Sequence, residues 1–176
     1  YGGFFGVFLA DHADERKIHG IAAATAVAGV WNVPTQSLFE HLVSSEDPLR
    51  MAERPEMKYM SAATVEAWKQ TKIQFMQEAL YKPETAARAI DLRKQLILAL
   101  HRSGAGLLLG SDAPQVFNVP GFSIHRELKM LVEAGLSPFE ALQTGTVYPA
   151  SFLNQEDIFG TVQKGLEADL VLLDGN

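Results

Sequence analysis

An apolar run with no polar break, Leu107-Leu108-Leu109-Gly110, is closed by Ser111-Asp112-Ala113-Pro114. A strand with one wet face alternates polar and apolar side chains, whereas a strand covered on both faces is apolar throughout, as in a parallel sheet. The run therefore predicts a buried parallel strand. Parallel neighbours need crossover connections, usually helices, and the flanking sequence supplies them. Pro83 resets the chain before residues 84–102, which carry Ile90, Leu96, Ile97 and Leu100 on one side. Beyond the run, Ile124, Leu128, Leu131 and Val132 recur at i, i+4, i+7 and i+8 and end at Gly135.

The same reading extends in both directions. Residues 15–28 place Ile18, Ile21, Ala22, Thr25 and Ala28 near helical spacing, with Gly29 as the stop. Val30-Trp31-Asn32-Val33 is a short β-type run ended by Pro34-Thr35. Residues 46–60 are charged and hold Pro48 and Pro55, which predicts a surface loop with little regular structure. A helix is expected over 61–81 with Val65, Trp68, Phe75, Met76, Ala79 and Leu80 inward. Ser137-Pro138-Phe139-Glu140 has a serine cap, proline in the first turn and glutamate three residues on, a helix start. Gly160-Thr161-Val162 and residues 168–173 read as strands joined through Gly165, with no helix between them.

Strand, helix, buried strand, helix implies right-handed parallel β/α units. A complete (β/α)₈ barrel needs roughly 250 residues, and the chain has 176. The expected fold is therefore α/β: a partial (β/α)₈ TIM-type barrel over residues 1–157, plus the C-terminal strands of a small β-sandwich over 158–176. The opening Tyr1-Gly2-Gly3-Phe4-Phe5-Gly6 lacks a basic region and reads as a chain entered midway, with sequence expected before it.

Composition narrows the partners. A net charge of −6 without a local run of Lys or Arg speaks against nucleic acid and anionic membrane surfaces. Cysteine is absent, which excludes disulfides and thiolate metal ligands. No stretch approaches the ~20 apolar residues of a membrane span. These facts leave the compartment open, with cytoplasm slightly ahead of periplasm, and they allow a homo-oligomer.

In β/α barrels the reacting groups project from the C-terminal ends of strands, and Asp112 stands two residues beyond the apolar run. A carboxylate there can ligate a metal and accept a proton from its bound water, whose pKa the metal lowers towards ~7. Aspartate also often does no more than cap a turn. His12, His19, His41, His101 and His125 include no His-x-His and no i, i+4 pair. His125 stands apart because it follows the loop Asn118-Val119-Pro120-Gly121-Phe122 and begins a helix near Asp112. It is a candidate general acid or substrate contact. Gly104-Ala105-Gly106 precedes a strand, whereas a dinucleotide fingerprint follows one. No Gly-x-Ser-x-Gly nucleophile elbow occurs.

Several segments, taken in order, resemble the amidohydrolase superfamily. They are Gly-Leu-Leu-Leu-Gly-Ser-Asp-Ala-Pro at 106–114, Gly-Phe-Ser-Ile-His-Arg-Glu-Leu at 121–128, and Leu-Val-Glu-Ala-Gly-Leu-Ser-Pro-Phe-Glu-Ala-Leu at 131–142. Residues 160–174 look like the returning strands of that family's β-sandwich, and 28–35 resemble its seventh barrel strand. The nearest look is to imidazolonepropionase-like and prolidase-like members. The resemblance implies a hydrolase with one or two Zn²⁺ that splits amide or cyclic-amide C–N bonds of small molecules or peptides. It makes Asp112 the eighth-strand aspartate, a metal ligand that shuttles a proton from attacking water to the leaving nitrogen. Tyr1 would follow the sixth-strand histidine at the site mouth, as a substrate contact. The family's remaining ligands have no match here and are expected before Tyr1. Two other classes compete: a non-catalytic binding or structural domain on a degenerate barrel, and a non-hydrolytic barrel enzyme such as a lyase or isomerase.

Overall fold

The computed structural model describes residues 4–174. The described chain is helical: α1 (Ile18–Val27), α2 (Gln36–Val43), α3 (Pro48–Ala52), α4 (Ala62–Met76), α5 (Pro83–Arg102), α6 (Phe122–Glu133), α7 (Pro138–Gln143) and α8 (Val147–Leu153). Tighter 3₁₀ turns cover Phe4–His12, Glu15–Lys17 and Pro55–Tyr59. Half of the helix starts follow from sequence, through a capping side chain or a first-turn proline. Asp47 and Ser61 cap α3 and α4 by accepting from the N–H of Leu49 and Thr64, which satisfies donors that have no partner within a helix. Ser137 and Glu140 close the expected capping box at α7. The segment expected to be an irregular loop, 46–60, instead holds α3 and a 3₁₀ turn. Pro48 and Pro55 begin them, because a missing N–H costs nothing in a first turn.

The expected partial (β/α)₈ barrel and β-sandwich are not formed. Among the described residues the β-type pairings are two isolated bridges, a parallel one at Asn32–Leu107 and an antiparallel one at Gln115–Asn118. At the first, Asn32 N–H donates to Gly106 (2.9 Å) and Leu108 N–H donates to Asn32 (2.9 Å). The ladder stops there for two reasons. On one side Pro34 has no N–H to continue it, and Thr35 turns into the left-handed region at φ 47° to start α2. On the other, the Pro34 carbonyl that the next rung would use already accepts from Arg93, while Leu109 N–H, which faces the opposite edge, goes to the Thr144 carbonyl (2.9 Å) at the end of α7. The indole of Trp31 lies where a Cβ on Gly106 would be 2.3 Å away, so glycine is required for that approach. Towards the C-terminus, Val162, Val171 and Leu172 are 84%, 85% and 98% exposed. Residues 160–162 and 168–173 are expected as strands, but a strand needs a neighbour, and none pairs with them among the described residues.

Burial comes from helix packing around three apolar clusters. Ala22 of α1, Ile97, Ala99 and Leu100 of α5, Leu107, and Leu131 of α6 form the first. Phe39, Leu42 and Val43 of α2 meet Val7, Ala10, Ala86 and Ala89 in the second. Met51, Met57, Trp68, Phe117 and Val119 form the third, beneath the loop that carries Asp112. Some positions expected inward face solvent: Ile21 is 52% exposed and Leu80 62%. For Leu80 the reason is that α4 ends at Met76, which breaks the helical register on which the expectation rested.

A buried polar cluster ties the third apolar cluster to α2. His41 is buried, and its Nε2 accepts from Arg54 Nη1 at 3.0 Å. A guanidinium can only donate, so the neutral ring carries its proton on Nδ1. Burial, then the charges of Arg54, Arg126 and Lys72, pull the His41 pKa down to about 3. Lys72, fully buried, donates to the carbonyls of His41 (2.6 Å) and Ser44 (2.7 Å) at the end of α2. Its pKa is lowered to about 8, first by burial. Arg126 pairs with Glu56.

Two outcomes test this packing. Leu131→Ala, at a side chain with no exposure, is expected to lower unfolding free energy by about 2–5 kcal/mol, whereas Val132→Ala on the wet side of the same helix costs about 1 kcal/mol or less. The second concerns pH. Between 6.5 and about 3 an unfolded His41 holds a proton that the folded one refuses, so stability falls as pH drops through that window. From pH 7 to pH 4 the wild type should lose on the order of 3 kcal/mol more than His41→Gln, which keeps an acceptor for Arg54. Urea titrations at both pH values measure it.

Candidate active site

The loop 111–118 leaves the apolar run and returns towards α6 with an unusual backbone. Asp112, Val116 and Phe117 all have positive φ, at 53°, 25° and 63°. Aspartate visits this region at modest cost, but a β-branched valine does so only when its surroundings hold it there. Phe117 supplies part of that hold: it is fully buried, with its ring 6.0 Å from that of Trp68. Polar ties supply the rest. Ser111 Oγ and Ser123 Oγ, both buried, are hydrogen-bonded at 2.8 Å. The Nδ2 of buried Asn118 donates to the Ser111 carbonyl. Asp112 follows that clamped residue and is exposed. No hydrogen bond or ion pair engages its carboxylate among the described residues.

His125 lies on α6, also exposed. Phe122, three residues before it and so on the same helical face, is 43% exposed. Its ring stacks on Tyr59, itself 63% exposed, with centroids 5.3 Å apart. Lys58 Nζ sits 5.0 Å from the Tyr59 ring. This exposed aromatic pair escaped sequence reasoning: the Phe122-to-His125 spacing is visible, but nothing marks Tyr59, which arrives through tertiary contact. Tyr1 lies outside the described residues.

Metal binding can be tested on the donors themselves. A catalytic zinc takes three protein ligands and a structural one four. No group of three or more His, Asp or Glu side chains comes together as a metal site among the described residues. Asp112 offers one carboxylate, and His125 is not gathered with it and a third donor. The described residues therefore do not fit a zinc centre by themselves.

A separate open cleft of about 420 Å³ lies between α5 and the segment before α2. Trp31, Val33, Leu96, Ile97 and Leu100 give it apolar walls, and Arg93 stands among them. Asp112 is not part of its lining. Arg93 Nε donates to Gln36 Oε1 at 2.9 Å, a second nitrogen donates to the Pro34 carbonyl, and the guanidinium lies 4.3 Å from the Phe39 ring centre. These contacts use the arginine for holding α2 to α5. Size alone, which falls in the range of small-molecule sites, does not make the cleft the reacting centre.

The sequence profile of the amidohydrolase family matches residues 7–176. No curated protein and no solved structure matches the chain.

Proposed function

The chain belongs to the amidohydrolase family, and on that premise we propose that it hydrolyses the C–N bond of an amide or cyclic amide, with Asp112 moving the proton. The supporting observation is Asp112 itself, an exposed carboxylate on a left-handed residue whose predecessor, Ser111, is tied at its carbonyl by Asn118 and at its hydroxyl by Ser123. Amide hydrolysis needs a proton removed from the attacking water and one delivered to the leaving nitrogen, which otherwise departs as a strongly basic anion. One carboxylate can do both in turn. Such transfer contributes about 10²–10⁴-fold to rate.

Metal ions are usual in this family, and zinc would supply a water of lowered pKa. The described residues do not complete a donor set, so the steps assigned here are those of Asp112 alone. The substrate class, following the imidazolonepropionase-like and prolidase-like look of the motifs, is a dipeptide, an N-acyl amino acid or a related cyclic amide. His125, exposed beside Phe122, is proposed as a substrate contact. The incomplete donor set favours one rival reading, a non-catalytic binding or structural domain.

Amine release from a panel of dipeptides and N-acetyl amino acids separates the two. Asp112→Asn is expected to lower kcat by about 10²–10⁴-fold with little change in Tm, since the side chain is exposed. Retained turnover in that variant removes Asp112 from the reaction, and absence of turnover in the wild type favours the binding domain. Equilibrium dialysis against Zn²⁺ is expected to find less than one tightly held ion per chain, since no three donors gather among the described residues. A stoichiometric ion would show that donors assemble in solution beyond those gathered here.

A further inference from the structure

We infer that Asn118 is a positioning residue for Asp112, fixing its backbone through the Ser111 carbonyl; the catalytic part of this inference rests on the reading of Asp112 given above. Asn118 has no exposure, yet its Oδ1 has no hydrogen-bond partner. Its Nδ2 donates to the Ser111 carbonyl and makes a longer contact, 3.4 Å, with Ser37 Oγ. Exchanging the amide's oxygen and nitrogen would set two acceptors face to face, so the orientation follows from the carbonyl. Leaving a buried acceptor unpaired is costly. A side chain kept only for packing would avoid that cost, as leucine does. What asparagine provides here is the Nδ2–H aimed at one carbonyl.

That carbonyl belongs to the peptide that enters Asp112. A peptide unit is planar, so pinning its oxygen restrains the plane and the Asp112 N–Cα bond with it. Ser123 pins the same residue through its hydroxyl. Asn118 is itself anchored, because its N–H donates to the Gln115 carbonyl at 2.7 Å. The loop thus closes on itself around two left-handed residues, Val116 and Phe117. Strain of this kind persists where surroundings over-determine the backbone and often accompanies function. An exposed carboxylate on a restrained backbone has little left to lose but side-chain rotation when it meets a substrate. Such preorganisation is where misplacement of about 1 Å can cost 10²-fold in rate.

The test begins with the wild-type chain and needs no substrate. ¹⁵N relaxation should give Asp112 an order parameter near 0.85, that of rigid backbone, despite its exposure; a value below about 0.6 overturns the inference. Asn118→Leu, close in shape but without the donor, should then lower that order parameter while leaving those of α5 unchanged. On N-acetyl amino acids it should lower kcat by about 10–100-fold and leave KM nearly unchanged, a split that general destabilisation does not produce. A folded Asn118→Leu protein with an unaltered Asp112 order parameter and kcat overturns the inference. If that variant does not fold, the wild-type relaxation decides. If Asp112→Asn retains turnover while Asn118→Leu still loosens Asp112, the functional reading fails and the backbone restraint stands.

Discussion

Glu127 of α6 has no exposure, and its two carboxylate oxygens accept the N–H groups of Gln36 (2.8 Å) and Ser37 (2.7 Å), the first residues of α2. A helix leaves its first N–H groups without internal partners and carries partial positive charge there. Thr35 stands at the cap position but makes no side-chain cap bond. A carboxylate from another helix takes the task instead. Burial pushes the Glu127 pKa up, while the two backbone donors, Ser37 and the charge of Arg93 oppose that shift. Charge-assisted bonds of this kind are roughly twice as strong as neutral ones. With Arg93 holding Gln36 and the Pro34 carbonyl, the contact joins α2, α5 and α6 at one point.

The loop carrying Asp112 depends on that junction. Ser37 lies beside Asn118 and Ser123 precedes Glu127 by one helical turn, so the ties on Ser111 start from the two helices that Glu127 fastens together. Beneath, Phe117 fills the space against Trp68. Around it, His41 is kept neutral among cations while Lys72 spends its charge on the last carbonyls of α2. The interior is therefore held by a few polar contacts of high consequence set between apolar clusters. Removing one partner of such a contact leaves the other buried and unpaired, which is where the larger losses of stability arise.

Helices were legible wherever a periodic face and a cap coincided. Residues 84–102 and 124–132 gave both, and Ser137 with Glu140 announced α7 by chemistry that requires no tertiary partner. The β-type segments were read differently from how they fold. An apolar run such as 107–110 says that it will be covered, not what will cover it: one bridge to Asn32 and a carbonyl from Thr144 do so, in place of neighbouring strands. Residues 160–162 and 168–173 read as strands but find no partner to pair with among the described residues. Asp112 was found from its place after the run. Its clamp was not, because Asn118 and Ser123 meet Ser111 through tertiary contacts that spacing does not encode, as Tyr59 meets Phe122.

The amino-acid order by itself determined the helical periods, the caps, the lack of thiol chemistry and the family to which the chain belongs. These are local or cumulative properties, carried by propensity, hydrogen-bonding type and motif order. Tertiary structure decided how far the two β-type segments pair, which charged groups are buried, and how Asp112 is held. Those outcomes depend on contacts between residues such as Gln36 and Glu127, 91 positions apart, and no local pattern specifies a partner at that distance.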